Sequence, residues 1–221
     1  MTDENRTPLI AKQVRKDSNE VATLQYLRTI QPQSPHIVFL IETVNTRDRE
    51  WLILPKLHPI SELSMHASGA LLHSQLVQFC RDLIEGLAYL HRHGVAHLDV
   101  KPGNLVYDNR GHLQIIDFDS AVRVSSEDEK ITGLYGTRGW RAPEIGDDEE
   151  EIASPLFSPI RADRWSCGKV LLEFVEEVEA EEGKILGRFA TSLMDKDPHC
   201  RPSLLDWDEL GGMASSRELC R

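Results

Sequence analysis

From Leu76 to Leu90 the apolar residues Leu76, Phe79, Cys80, Leu83, Ile84, Leu87 and Leu90 recur at steps of three and four, the period of a helix that turns one face to a core. The stretch ends near Gly94, a residue that commonly stops helices. It divides the chain into two kinds of sequence. Ahead of it, Leu9-Ile10-Ala11, Ile37-Val38-Phe39-Leu40-Ile41 and Trp51-Leu52-Ile53-Leu54 are short apolar runs between turn formers and read as strands. Between the first two, Ser18 stands where it can cap a helix bearing Val21, Leu24 and Leu27. Behind it the pattern is mainly helical, with a core helix expected through Trp165, Val170, Leu171, Leu172, Phe174 and Val175. Two short strands, Leu105-Val106-Tyr107 and Leu113-Gln114-Ile115-Ile116, interrupt the helices, and Asp108-Asn109-Arg110-Gly111 between them has the chemistry of a hairpin turn. The pattern is that of an α+β chain.

At 221 residues, with 40% hydrophobic and 28% charged content, the chain is long enough for one large core or two small lobes. Its apolar runs fall short of a membrane span, and Met1–Arg6 lacks the apolar centre of a signal peptide, so an intracellular place, cytoplasmic or nuclear, with no membrane partner, is expected. Cys80, Cys167, Cys200 and Cys220 stand singly, without metal-site or disulfide spacing, and reduced thiols are expected. A net charge of −11 disfavours a nucleic-acid partner, which clustered Lys and Arg would hold. The acidic run Asp147–Glu151 reads as a solvated loop.

The hairpin carries chemistry at both ends: Asp99, Lys101 and Asn104 precede its first strand, and Asp117 follows its second. Phosphoryl transfer needs a carboxylate at the attacking hydroxyl, a cation at the transferred group and oxygen ligands for a metal. Asp99 suits the first role and Lys101, two residues on and on the same side of an extended loop, the second. Asn104 and Asp117 offer oxygens of the kind Mg²⁺ prefers.

The segment His97-Leu-Asp-Val-Lys-Pro-Gly-Asn104 resembles the His-Arg-Asp catalytic loop of eukaryotic protein kinases, and Asp117-Phe-Asp119 resembles their metal-binding Asp-Phe-Gly. Three more segments follow in the family's order: Gly136-Thr-Arg-Gly-Trp-Arg-Ala-Pro-Glu144, Asp163-Arg-Trp-Ser-Cys-Gly168 and Asp197-Pro-His-Cys-Arg-Pro-Ser203. The resemblance runs from Leu9 to Ser203, and the wording around Ile115–Val122 is also similar to a kinase-like group of basidiomycete fungi. It implies a two-lobed fold, with residues 1–57 as a reduced β-rich lobe plus hinge and 58–221 as a helical lobe. It implies transfer of the ATP γ-phosphate, with Mg²⁺, to Ser or Thr of a protein, Asp99 and Lys101 being catalytic and Asn104 and Asp117 the metal ligands. Lys12 would hold phosphates and pair with Glu20, while Pro55, Leu57 and Leu105 join the nucleotide-binding residues, the adenine bonding to hinge backbone. It further implies that Glu144 pairs with Arg201 and that Asp163 holds the catalytic-loop backbone.

The match is incomplete in several places. None of the eleven residues before Lys12 is glycine, so the Gly-rich loop of the family has no counterpart here. Leu98 replaces the arginine that in many kinases receives an activation-loop phosphate, so control by such phosphorylation is not expected. Asp119 replaces a glycine and either modifies metal binding or faces solvent. After Phe174 the chain reaches Asp197-Pro198 with little room for a substrate-docking helix. The remaining histidines, among them His91 and His93, read as solvated or helix-terminal. Two other readings stand beside the kinase: a pseudokinase used as an interaction module, and a kinase of small alcohols of the aminoglycoside or choline type.

Overall fold

A computed structural model describes residues 8–15, 18–47, 49–63, 70–146, 156–176, 178 and 180–207; the acidic run Asp147–Glu151 and Cys220 lie outside them. Strand β1 (Leu9–Val14) runs antiparallel to β3 (Glu50–Pro55), and β2 (Glu42–Asn45) pairs with the other edge of β3, giving the order β1-β3-β2. The register sets Lys12 opposite Leu52, and Leu52 and Leu54 point into the core. Helix α1 (Asn19–Thr29) starts where Ser18 Oγ accepts the Val21 N–H, 3.3 Å away, and buries Val21, Leu24 and Leu27 as its spacing predicts.

The run Ile37–Ile41 is not a strand. Ile37, Val38 and Leu40 are buried, which is why the run resembles one, but Phe39 is exposed and the backbone takes a single parallel bridge, Ile37 to Ile115. The third strand of the sheet is the more polar β2, which an apolar-run criterion passes over.

Helix α2 (Ala70–Arg92) buries Phe79, Cys80, Leu83, Ile84, Leu87 and Leu90 along the predicted stripe. It packs on α3 (Pro159–Val175), most of whose residues are buried, and α3 packs on α4 (Glu181–Leu193). The sequence reading saw little room for a substrate-docking helix after Phe174 and did not foresee α4. Its signal was present at Leu186, Phe189, Ala190 and Leu193, all buried, and Phe189 meets the Trp207 ring at 5.1 Å.

The hairpin forms as predicted from β6 (Leu105–Tyr107) and β7 (Leu113–Ile115), and β4 (His58–Pro59) adds to its β6 edge. In its turn Asp108 Oδ1 accepts the N–H groups of Arg110 and His112, at 2.8 and 2.9 Å. A two-stranded ribbon of β5 (Val95–Ala96) and β8 (Val122–Arg123) flanks the loop that begins at His97. The chain is therefore sheet-rich at its N-terminal side and helical beyond, with the hairpin between. No helix among the described residues is long and apolar enough to cross a membrane.

Candidate active site

The loop after β5 is held from below by α3. Asp163, with no exposed surface, accepts the His97 N–H on Oδ2 and the Leu98 N–H on Oδ1, both at 2.7 Å. Leu98 sits at φ 61°, a left-handed conformation costing a branched residue roughly 1–2 kcal/mol, and the charge-assisted bond to its N–H offsets that strain. His97 Nδ1 accepts the Asp99 N–H at 3.2 Å, so its Nε2–H donates to the Ile116 carbonyl at 3.0 Å. The ring, packed against Phe118, therefore joins the loop to the end of the hairpin as a structural group. His91 is in the last turn of α2, but its Nε2 lies 3.1 Å from Asp163 Oδ2, so it serves the same anchor rather than facing solvent.

Asp99 is the hub of the loop. The Thr137 hydroxyl donates to its Oδ1 at 2.7 Å, Lys101 Nζ donates to its Oδ2 at 2.7 Å, and Lys101 also reaches Thr137 Oγ1 at 2.5 Å. Asn104 Nδ2 donates to both the carbonyl and Oδ2 of Asp99, at 2.9 Å each. These bonds use the amide nitrogen and leave the amide oxygen of Asn104 for another partner. Thr137 comes this close because Gly136, at φ 77°, packs against the loop; a Cβ there would stand 2.4 Å from the Leu98 carbonyl oxygen.

Across the cleft, Lys12 Nζ lies 2.9 and 2.8 Å from the two Glu20 oxygens and 2.6 Å from Asp117 Oδ1. Burial pulls the Lys12 ammonium down, but Asp117 and Glu20 outweigh it and hold the amine above its usual range. Glu20 is 1% exposed, and burial pushes its carboxyl up despite Lys12. The Lys12–Glu20 pair follows from the sequence. The Lys12–Asp117 contact spans 105 positions and has no local signal.

These groups line a cavity of about 320 Å³ with Arg15, Asp99 and Asp119. Asp119 is exposed and lines this cavity. Pro55, Leu57 and Leu105 do not line it: Leu105 is 1% exposed in the core, and Leu57 packs partly against that core. Asn104 lies behind the cavity, its carbonyl accepting the Ile116 N–H at 3.0 Å, one residue before Asp117. The free Asn104 oxygen and the second Asp117 oxygen are hard donors, a set that suits Mg²⁺.

The protein kinase domain family matches residues 4–184. The chain belongs to the protein kinase family. It is similar to the serine/threonine-protein kinase shk2 of Schizosaccharomyces pombe, 27% identical over 143 residues that cover 64% of this chain and 23% of that protein. It is also similar to the serine/threonine-protein kinase CST20 of Candida albicans, at 28% over 76% of this chain and 14% of that protein. The probable serine/threonine-protein kinase pknA2 of Bifidobacterium longum matches at 30% over 71% of this chain and 20% of that protein. The kinase chain thus spans about a quarter or less of the length of these curated relatives.

Two ion-pair systems fix the segment that follows Asp119 in this kinase. Arg201 donates to both Glu144 oxygens, at 2.6 and 2.8 Å, as the resemblance implies. Upstream, Glu127 accepts from Arg161 at 3.1 Å and from both terminal nitrogens of Arg164. Burial alone would raise the Glu127 carboxyl, but the two arginines outweigh it and hold the group below its usual range. The sequence reading missed Glu127, Arg161 and Arg164, whose pairing also joins residues more than thirty positions apart. It also misjudged His36, which is buried and paired with carboxylates.

Proposed function

We propose that this kinase domain transfers the γ-phosphoryl group of ATP to serine or threonine hydroxyls of a protein substrate. The reading is carried by Asp99, held between Lys101 and Thr137 with both carboxylate oxygens turned to donors. Thr137 already presents an aliphatic hydroxyl to Asp99 Oδ1, the interaction an acceptor serine or threonine makes before it is deprotonated. Asp99 orients the incoming hydroxyl and takes its proton as the oxygen attacks, while the Lys101 ammonium offsets negative charge on the transferred group.

Asn104 and Asp117 would hold Mg²⁺, whose chemistry is to neutralise phosphate oxygens. Lys12, kept in place by Glu20, would meet the phosphates, exchanging its contact with Asp117 for them. In the same reading the Pro55 carbonyl and Leu57 N–H face the adenine, Leu105 backs it, and the lobes divide into residues 1–57 and 58–221. The Asp99→Asn variant keeps the shape of the loop and loses the base, so radiolabel transfer from ATP to a protein acceptor should drop about 10²–10⁴-fold. Unchanged transfer would overturn the assignment.

A further inference from the structure

His36 lies between α1 and β2, 7% exposed, with both ring nitrogens facing acceptors. Nδ1 is 3.1 Å from the Leu113 carbonyl oxygen, and Nε2 is 3.3 Å from Glu85 Oε2. A neutral imidazole carries one N–H and could satisfy only one of these oxygens; the imidazolium satisfies both. The buried Asp82 adds a second carboxylate, 3.8 Å from Nδ1, and itself accepts the Leu113 N–H at 2.8 Å.

The residue's backbone works at the same joint. The His36 carbonyl accepts the Ile115 N–H at 2.9 Å, and the Val38 N–H donates to the Ile115 carbonyl at 3.1 Å. Helix α2 comes close because residue 86 is glycine: a Cβ there would lie 3.1 Å from the His36 Cβ and 3.2 Å from its carbonyl oxygen. His36 thus ties α2 to the last residue of β7, two positions before Asp117.

We propose that His36 is a charged positioning residue: as an imidazolium between Leu113 and Glu85 it pins residues 36–38 onto β7, and so fixes where Asp117 stands in the cleft. Only the last step rests on the kinase reading. Burial lowers the basicity of the ring, but Glu85, Asp82 and the Leu113 carbonyl outweigh it and raise its proton affinity above the usual histidine value. The Glu85 carboxyl is correspondingly lowered, first by its bond to His36. The other groups at this joint do not reverse the sign. His112 meets the ring edge-on at 6.4 Å but has its own carboxylate, Asp108, at 3.7 Å; Arg81 acts on Glu85; and Tyr89 and Arg92 line the adjoining cavity of about 350 Å³. Because the folded-state value is raised, the stabilisation is complete below the ordinary value of about 6.5 and is lost as pH rises through the raised one.

The test follows the His36 ring by NMR between pH 5 and 9 in the whole chain and in the Glu85→Gln variant. It also follows the affinity for magnesium plus a non-hydrolysable ATP analogue in wild type and in His36→Asn. His36 should titrate above about 6.5 in wild type and lower in Glu85→Gln, with analogue affinity falling about threefold or more across the wild-type titration and staying flat in His36→Asn. A ring titrating at or below its ordinary value, or an affinity that ignores its titration, would overturn the proposal. Should the analogue bind at no pH, the nucleotide reading fails, and amide exchange at Ile115 decides for His36: faster exchange in His36→Asn upholds the positioning role, and unchanged exchange rejects it.

Discussion

The two walls of the cleft are built in opposite ways. On the catalytic-loop side Asp163 is wholly buried and bonds two successive N–H groups, while Asp99 is tied to Lys101, Thr137 and Asn104. On the other side the contact between Lys12 and Asp117 joins two side chains that are 35% and 37% exposed, and among the described residues the lysine has one further ion-pair partner, Glu20. One wall is fixed by desolvated, directional bonds, the other by ion pairs that an incoming phosphate and metal can replace. In the proposed reaction the base to be aligned is therefore the rigid one, and the groups that would exchange partners are left where exchange is cheap.

Removing the lower anchor should give the largest effect. Asp163→Asn leaves one of the two loop N–H groups facing an amide NH₂ and weakens what offsets the strain at Leu98, so urea unfolding should show a loss of roughly 2–4 kcal/mol. A loss below about 0.5 kcal/mol would erase the contrast between the walls. Lys12→Met probes the other side: affinity for Mg·ATP should fall tenfold or more by calorimetry, on the scale of one lost charge-assisted contact, while the fold persists. The same variant should show a pH signature. The Glu20 carboxyl, already raised by burial, rises further without its cation, and a raised group stabilises fully below its ordinary value of 4.5 and less as pH climbs. The Tm deficit of Lys12→Met should therefore be small near pH 4.5 and grow toward neutrality; a pH-independent deficit would contradict the buried-carboxylate account. The smallest effect concerns how Glu20 is delivered: Ser18→Ala removes the cap of α1 and should cost about 1 kcal/mol, with only a slight change in nucleotide affinity.

The same contrast explains what could be read from the sequence. Asp99, Lys101 and Asn104 lie within six positions and are brought together by local loop geometry, so spacing and chemistry alone named them. Ser18 capping α1, the α2 stripe and the hairpin turn at Asp108 were legible for the same reason, because each depends on neighbours a few residues away. The contacts of Lys12 with Asp117, of Glu127 with Arg164 and of His36 with Glu85 depend on where distant elements are packed, and no periodicity reports that. The Ile37–Ile41 run misled because Ile37, Val38 and Leu40, buried from an irregular segment, leave the same apolar trace as residues buried in a sheet. The nucleotide-side residues Pro55, Leu57 and Leu105 came from resemblance, and they stand apart from the cavity that Lys12 and Asp117 line.

Glu127 has a consequence for control. Its carboxylate, gripped by Arg161 and Arg164, gives the segment beyond Asp119 a negative anchor encoded in the gene itself. A phosphatase has nothing to cleave at that position, and a partner seeking to loosen the segment must compete for two arginines instead.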